Sequence, residues 1–317
     1  MRSSALIAKV LATLALLTGA TAAQDKVRIG LPVPKATAYI GVQVAVDRGF
    51  FKEANIDPEV TVFRGGAAAQ EALSAGAADV ISYPPGGVAL VQLKGGQKEK
   101  VVGVIDERPL GWLMLVKPES KIKTAKDLQG VKLGITVKGG LTDMLAIWLT
   151  KNAGVTAQII PVGGAAINQA MLDGQVDAIV ATPAGSWQMV ETGKARSIFD
   201  FGKEMKPVIA DSWVASEEMI TKRPELLRKT IGAIYKGQRY IQDNRDWGLK
   251  YLKDFTEEKD DKINQLTYER LILLLNKDGT MERTWIEDGL KMAADAWNNP
   301  DIAKYDPNNV YTNEFLK

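Results

Sequence analysis

The sequence of 317 residues contains no cysteine and no histidine. Without cysteine the chain can form no disulfide bond, no thiolate metal site and no lipid-modified cysteine near its N-terminus. Without histidine it can hold no Ser-His-Asp triad, no imidazole-ligated zinc and no imidazole proton shuttle. These two absences exclude most familiar hydrolase and redox mechanisms. The hydrophobic content of 46% and the charged content of 25% are ordinary for a globular protein.

Residues 1–23 have the pattern of a secretory signal peptide. Two basic residues, Arg2 and Lys9, precede a short apolar run, and the small-residue ending Ala20-Thr21-Ala22 follows. A transmembrane anchor is the alternative, but the apolar run is too short to span about 30 Å of hydrocarbon. We therefore expect cleavage after Ala22 or Ala23 and a periplasmic location.

The charge balance excludes a second group of functions. The chain has 40 basic and 38 acidic residues, and removal of Arg2 and Lys9 with the signal peptide leaves 40 − 2 = 38 basic residues. The mature chain is therefore formally neutral, which argues against nucleic-acid or membrane-surface binding. With no cysteine for a lipid anchor, we expect a soluble and monomeric periplasmic protein.

An internal repeat relates residues 65–87 to residues 163–185 at a constant offset of 98 (163 − 65). Ten of the 23 aligned positions are identical, and a similar apolar stretch precedes each segment, Val27–Leu31 in the first copy and Val131–Ile135 in the second. Chance similarity between Ala- and Gly-rich helices is the alternative, but composition alone would give far fewer identities. The repeat predicts two units with the same order of elements.

Within each copy, β-branched segments alternate with helix-forming segments, several of which end near glycine. This alternation predicts parallel βαβ units with right-handed crossovers. The predicted strands of the two copies are Val27–Leu31, Glu59–Arg64, Val80–Ser82, 131–135, 158–162 and 178–181. The predicted helices are Tyr39–Arg48, Ala67–Ala75, Pro84–Lys94, 141–152, 165–173 and 183–191. Further strands are expected at Val101–Ile105, Leu110–Val116 and Ser212–Ser216, and tail helices at Pro224–Asp243, Arg245–Phe255, Lys259–Asn276 and Thr280–Trp297.

The two copies predict an α/β protein with two parallel-sheet domains and a helical C-terminal tail. The simplest division places residues 24–108 with 217–317 in domain I and residues 109–216 in domain II. The chain then crosses between the domains twice, and two extended crossings form a hinge.

Ligands of open α/β sheets bind outside the carboxyl ends of the strands. The loops at those ends lead into helix N-termini, whose free N–H groups and partial positive charge suit an anion. The candidate ligand-binding residues in domain I are Thr37, Ala38, Tyr39, Gly66, Ala67, Ser82 and Tyr83. Those in domain II are Lys138, Gly139, Gly140, Leu141, Thr142 and Thr182, and those at the crossings are Arg108, Trp112 and Trp213.

Each candidate also has a structural interpretation. Arg108 could clamp a carboxylate or sulfonate with two hydrogen bonds, or it could pair with Glu107. Trp112 and Trp213 could stack on a ligand or pack in the hinge. The glycine pairs could be tight turns, since they lack the Gly-Lys-Ser/Thr ending of a phosphate-binding loop. No metal or cofactor site is expected.

Several further motifs follow one another in a specific order over roughly residues 27–220. They are Asp47–Ile56, Gly65-Gly66 followed by Glu71-Ala72-Leu73, Asp127–Ile135, Gly139–Met144 and Asp173–Ala178. In this order they resemble periplasmic substrate-binding proteins of the nitrate/sulfonate/taurine type, a family that also contains thiamine-precursor binders.

The resemblance implies a two-lobed, type II venus-flytrap fold that closes on a small ligand without chemistry. It implies delivery of that ligand to the permease and ATPase of an ABC importer in the inner membrane. The expected ligand is a small organic anion or aromatic compound, such as a sulfonate, taurine, nitrate or a pyrimidine. A ligand-sensing partner of a membrane sensor kinase is an alternative. An enzyme of the thiamine-precursor-synthase type is disfavoured, because the residues such an enzyme uses include histidine and cysteine.

Overall fold

The computed structural model describes residues 24–183, 185–209 and 211–316. The predicted signal peptide lies outside the described residues. None of the helices in the described ranges combines the length and the apolar character that a membrane span requires.

In the described part of the chain, ten strands form two β-sheets. In chain order they are β1 Asp25–Leu31, β2 Ile56–Val62, β3 Val80–Ser82, β4 Lys100–Asp106, β5 Leu113–Val116, β6 Lys132–Ile135, β7 Gln158–Pro161, β8 Ala178–Ala181, β9 Arg196–Asp200 and β10 Asp211–Ala215. The first sheet has the order β2-β1-β3-β10-β4 and the second has the order β7-β6-β8-β5-β9. The central strands β3, β5, β8 and β10 are buried along their whole length, as expected for apolar, β-branched strands covered on both faces.

The sheets are mixed, so the prediction of parallel sheets needs a correction. Strand β10 runs antiparallel to β3 and β4, and β5 runs antiparallel to β8 and β9. Both strands follow a crossing from the other sheet. Strands β4 and β9 end on the side of their own sheet that faces the other sheet. The chain therefore enters the other sheet on its facing side, and β5 and β10 run away from that side, opposite in direction to their neighbours.

The structure confirms that the two repeat copies build equivalent units. Strands β1, β2 and β3 pair as parallel neighbours in the same order as β6, β7 and β8. Two aspartates at equivalent positions fix this pairing, since Asp79 Oδ2 accepts from Arg28 N–H at 2.8 Å and Asp177 Oδ2 accepts from Lys132 N–H at 3.0 Å.

Strand β10 belongs to the first sheet. The division made from the sequence placed residues 109–216 together, so its second boundary does not follow sheet membership. The segments that connect the sheets are residues 107–112, between β4 and β5, and residues 201–209, which lead from β9 toward β10.

Fifteen α-helices lie within the described residues. They are α1 Ile40–Asp47, α2 Phe50–Glu53, α3 Gly66–Ser74, α4 Pro85–Leu93, α5 Leu141–Ala153, α6 Ile167–Leu172, α7 Gly185–Glu191, α8 Phe201–Glu204, α9 Glu217–Lys222, α10 Pro224–Asp243, α11 Arg245–Thr256, α12 Asp261–Arg270, α13 Arg283–Trp297, α14 Pro300–Lys304 and α15 Pro307–Val310. Short 3₁₀ turns occupy Thr37–Tyr39, Ala125–Leu128 and Ile272–Leu274.

The helical tail was predicted correctly in outline, with differences at helix ends. The helix expected over Lys259–Asn276 starts at Asp261, where the Asp260 side chain accepts from the N–H groups of Lys262 and Ile263, and it ends at Arg270. Helix α13 packs against both α4 and α5. The tail therefore contacts elements next to both sheets.

Candidate functional site

The loops at the facing edges of the two sheets enclose a small cavity of about 20 Å³, here called the central cavity. One wall comes from the ends of β1 and β3 and the start of β10, and the other from the end of β6 and the start of α5. Its lining residues are Pro32, Val33, Tyr39, Gly66, Ser82, Tyr83, Pro84, Trp112, Thr136, Leu141, Thr142 and Asp211.

Asp211 alone carries a charge among the described residues that line the central cavity. It is 3% exposed, and its Oδ1 accepts hydrogen bonds from Tyr39 Oη at 3.0 Å and Ser82 Oγ at 3.1 Å. No hydrogen bond from a described group reaches its Oδ2. The Trp112 indole N–H lies near enough to lower the pKa of this carboxyl, but it forms no hydrogen bond of normal geometry.

Burial sets the titration of Asp211. Desolvation penalises the charged form and raises the pKa of the carboxyl to about 6, while the hydrogen bonds from Tyr39 and Ser82 limit the rise. A second buried acid, Asp106, is its neighbour across β4 and β10, and Asp106 Oδ1 accepts from the Asp211 backbone N–H at 3.2 Å. The base of the central cavity therefore contains a buried acidic side chain.

The opposite wall is built around the first turn of α5. Thr142 Oγ1 accepts from the Thr136 N–H at 3.0 Å and shares a hydrogen bond with Thr136 Oγ1 at 2.8 Å. Asp143 Oδ2 accepts from the Gly139 N–H at 2.8 Å. Burial raises the pKa of Asp143, and this backbone bond and nearby Lys138 oppose the rise. These bonds fix the loop between β6 and α5.

Tyr83 connects the two walls directly. Its hydroxyl donates to the Gly139 carbonyl oxygen at 2.9 Å, and burial raises the pKa of this phenol well above its usual value. The loops also touch at Gly65, where a Cβ atom would lie 2.3 Å from Val137 Cγ1 and where φ is +147°. Glycine is required there because a side chain would push the two walls apart.

Seven of the predicted binding residues line the central cavity: Tyr39, Gly66, Ser82, Tyr83, Trp112, Leu141 and Thr142. An eighth, Gly139, accepts the hydrogen bond of the Tyr83 hydroxyl. Ala67 and Gly140 lie at the same junction, since a Cβ built on Gly139 would be 3.9 Å from Ala67 Cβ and one built on Gly140 would be 3.7 Å from Gly66 N.

Six other predicted residues lie elsewhere. Thr37 and Ala38 are buried in the 3₁₀ turn behind the cavity wall. Trp213 packs in the core edge-to-face with Tyr39, with ring centroids 6.0 Å apart. Arg108 and Lys138 are exposed, and neither lines the central cavity. Thr182 lines a second cavity, of about 200 Å³, that also lies between the two sheet-containing lobes; Gly164, Asn168 and Gln188 are among its other lining residues.

Thr136 and Asp211 line the cavity without having been predicted. The prediction covers the carboxyl ends of strands expected to be parallel, whereas Asp211 enters the cavity from the amino end of the antiparallel strand β10. The available signal was a lone carboxylate directly before the predicted strand Ser212–Ser216, at the point where the chain re-enters the first sheet.

Comparison with known proteins identifies the fold. A family model described as NMT1/THI5 like matches residues 36–246. A Brucella abortus (strain 2308) protein named as a binding protein is 24% identical over 262 residues, covering 75% of this chain and 76% of that protein.

Two solved structures share the architecture. The alkanesulfonate-binding protein SsuA from Xanthomonas axonopodis pv. citri, bound to MOPS, is 17% identical with a TM-score of 0.76, over 92% of this chain and 100% of that one. The periplasmic nitrate-binding protein NrtA from Synechocystis PCC 6803 is 10% identical with a TM-score of 0.75, over 92% and 87%. The predicted periplasmic-binding-protein fold is thereby confirmed.

Proposed function

The chain belongs to the NMT1/THI5-like family, and from that premise we propose that it is the solute-binding component of a periplasmic ABC importer. It captures a small solute in the central cavity and delivers it to the membrane permease and its ATPase. The observation that carries the proposal is a cavity whose walls come from two separate sheets and whose closure is fixed by the Tyr83–Gly139 hydrogen bond.

The two connections between the sheets give a physical route to capture. If the lobes pivot about residues 107–112 and 201–209, the contacts of Tyr83 and Gly65 across the cavity separate and solvent enters. The cavity of about 20 Å³ in this structure has room for about one water molecule, so the solute-bound state is one in which the walls stand further apart. A solute that touches both walls favours closure around itself, because only then does it make all of its contacts. Binding is then coupled to closure, and the closed form is the one presented to the permease.

We propose binding without chemical conversion. The lining offers aromatic rings, hydroxyls and one carboxylate, and the described lining residues include no lysine. The solute is expected to leave unchanged. The sequence left an organic anion and an aromatic compound open as the solute, and the proteins SsuA and NrtA are named for sulfonate and nitrate.

A thermal-shift screen of small solutes tests the proposal. Gly66→Leu should fill the cavity, because a Cβ at Gly66 already lies 3.3 Å from the Tyr83 ring, whereas Gly232→Leu is a matched control at an exposed helical glycine with no atom within 4 Å of its Cβ position. At about 100 times its Kd, a solute stabilises the native state by about 2.7 kcal/mol.

We expect a solute that stabilises the wild type and Gly232→Leu but not Gly66→Leu, and mass spectrometry should recover it unaltered. Equal stabilisation of Gly66→Leu would place the site elsewhere. A screen without a single stabilising solute, or a converted product, would contradict the proposed function.

A further inference from the structure

The charge inside the central cavity is negative and desolvated. Asp211 is 97% buried, since its exposed fraction is 3%. Arginine and lysine are absent from the described lining residues. A buried carboxylate without a cationic partner is costly, and the cost is relieved when a donor or a cation binds it.

One oxygen of this carboxylate is available to a ligand. Tyr39 and Ser82 both donate to Oδ1, while Oδ2 accepts no hydrogen bond from the described residues. The two hydrogen bonds that Oδ1 accepts favour the ionised form of Asp211. An N–H group of the solute can therefore complete the hydrogen bonding of Oδ2.

An anionic solute would meet the opposite situation. Helices α3, α4 and α5 begin beside the central cavity, since Gly66, Pro84 and Leu141 are among its lining residues, and helix N-termini attract negative charge. A second anion within a few ångströms of Asp211 would be repelled in a medium of low polarity, and it would also lose its own hydration. The balance therefore favours a cation.

On the basis of the solute-binding role proposed above, we propose that the central cavity selects a small organic cation bearing N–H donors, of the amidinium or ammonium type, with Asp211 as its counter-ion. The rings of Tyr39, Tyr83 and Trp112 line the rest of the cavity and cover the apolar part of the solute. The same geometry disfavours sulfonates, nitrate and carboxylates.

Matched probes that differ only in charge test the assignment. Each of two series contains three compounds of nearly the same shape. The first is acetamidinium, acetamide and acetate, and the second is benzamidinium, benzamide and benzoate. Calorimetric titration of the wild type should rank each series as cation, then neutral amide, then anion. The amidinium should bind about tenfold or more tightly than the carboxylate, the effect of one charge-assisted hydrogen bond.

Asp211→Asn should weaken amidinium binding by about ten- to hundredfold and leave the neutral amide within a few-fold. Asp301→Asn, at a carboxylate that is 71% exposed, is the control and should change neither. Circular dichroism establishes whether each variant is folded. If Asp211→Asn does not fold, the wild-type ranking decides the question alone.

Carboxylate probes that bind the wild type as tightly as the amidinium probes would overturn the assignment, and so would the failure of both amidinium probes to bind. The proposed solute-binding function would still stand after either result, provided that the screen yields a solute whose binding is abolished by Gly66→Leu. The proposed solute-binding function itself would be contradicted only if no compound in the whole screen, cations included, stabilised the protein.

Discussion

Glu99 is a buried carboxyl outside the central cavity, directly before β4. It is fully buried at 0% exposure, and Gln70 Nε2 donates to its Oε2 at 2.7 Å. Burial raises the pKa of this carboxyl to about 7 because desolvation penalises the charged form, and the bond from Gln70 offsets only part of that rise. The native protein therefore binds a proton at Glu99 at pH values where the unfolded chain does not.

Glu99→Gln should stabilise the protein increasingly as the pH rises. The native pKa of about 7 lies above the ordinary value of 4.5, so wild-type stability falls between these two pH values and stays lower above them. The full effect is about 3 kcal/mol. Urea unfolding at pH 5 and pH 8 should show a larger advantage of Glu99→Gln over wild type at pH 8.

Glu314→Gln, at an exposed glutamate, is the control and should show no such trend. An advantage of Glu99→Gln that is the same at both pH values would mean that Glu99 is ionised in the native state at pH 5.

Part of the lining of the central cavity was predicted from the sequence. Tyr39, Ser82, Tyr83 and Thr142 were predicted because each follows a strand that the apolar pattern reveals. Asp211 could not be predicted in the same way, because its place depends on the direction of β10, and that direction is a property of the assembled sheets.

At the scale of elements, α13 holds the tail against both halves of the molecule. It packs on α4 and on α5, and Lys151 Nζ of α5 donates to the Asp295 carbonyl oxygen at 2.6 Å. The contact with α4 is close at Gly86, where a Cβ atom would lie 2.1 Å from Ala293 Cβ. Helix α4 therefore needs glycine at this position for steric reasons.

Gly86→Ala should destabilise the protein by about 1–3 kcal/mol, because the added methyl group must displace α13. The matched change Gly232→Ala should stabilise it by about 0.5–1 kcal/mol, because Gly232 is exposed in α10 with open space around it. Chemical denaturation of both variants measures the pair. A Gly86→Ala variant as stable as Gly232→Ala would refute the close packing of α4 and α13.

Element order was more predictable than element direction. The repeat and the alternation of apolar segments predicted β1–β3, β6–β8 and the helices between them, because those signals are local. The antiparallel course of β5 and β10 was missed, since it follows from the side on which each crossing enters the other sheet.

At the scale of the whole molecule, two equivalent units face each other and enclose the central cavity, which neither forms alone. Tyr83 and Gly139 come from different units, as do Gly65 and Val137. A solute can reach Asp211 only when these contacts open, if the central cavity is the binding site. Entry by opening of the lobes is thus the central claim.

The absence of cysteine allows a direct test with one engineered disulfide. A Cβ on Gly139 would lie 3.9 Å from Ala67 Cβ, which suits a disulfide bond, so the double variant Ala67→Cys/Gly139→Cys should lock the lobes when oxidised. Gly139 has a positive φ of 76°, and the resulting strain is present in both redox states, so each sample serves as its own reference. Ala67→Cys alone is the control for the oxidant.

The decisive measurement is the affinity of a solute from the screen for the oxidised and reduced forms of this double variant. We predict that the oxidised protein binds no added solute and that reduction restores binding. Equal affinity in the two forms would contradict entry by opening of the lobes.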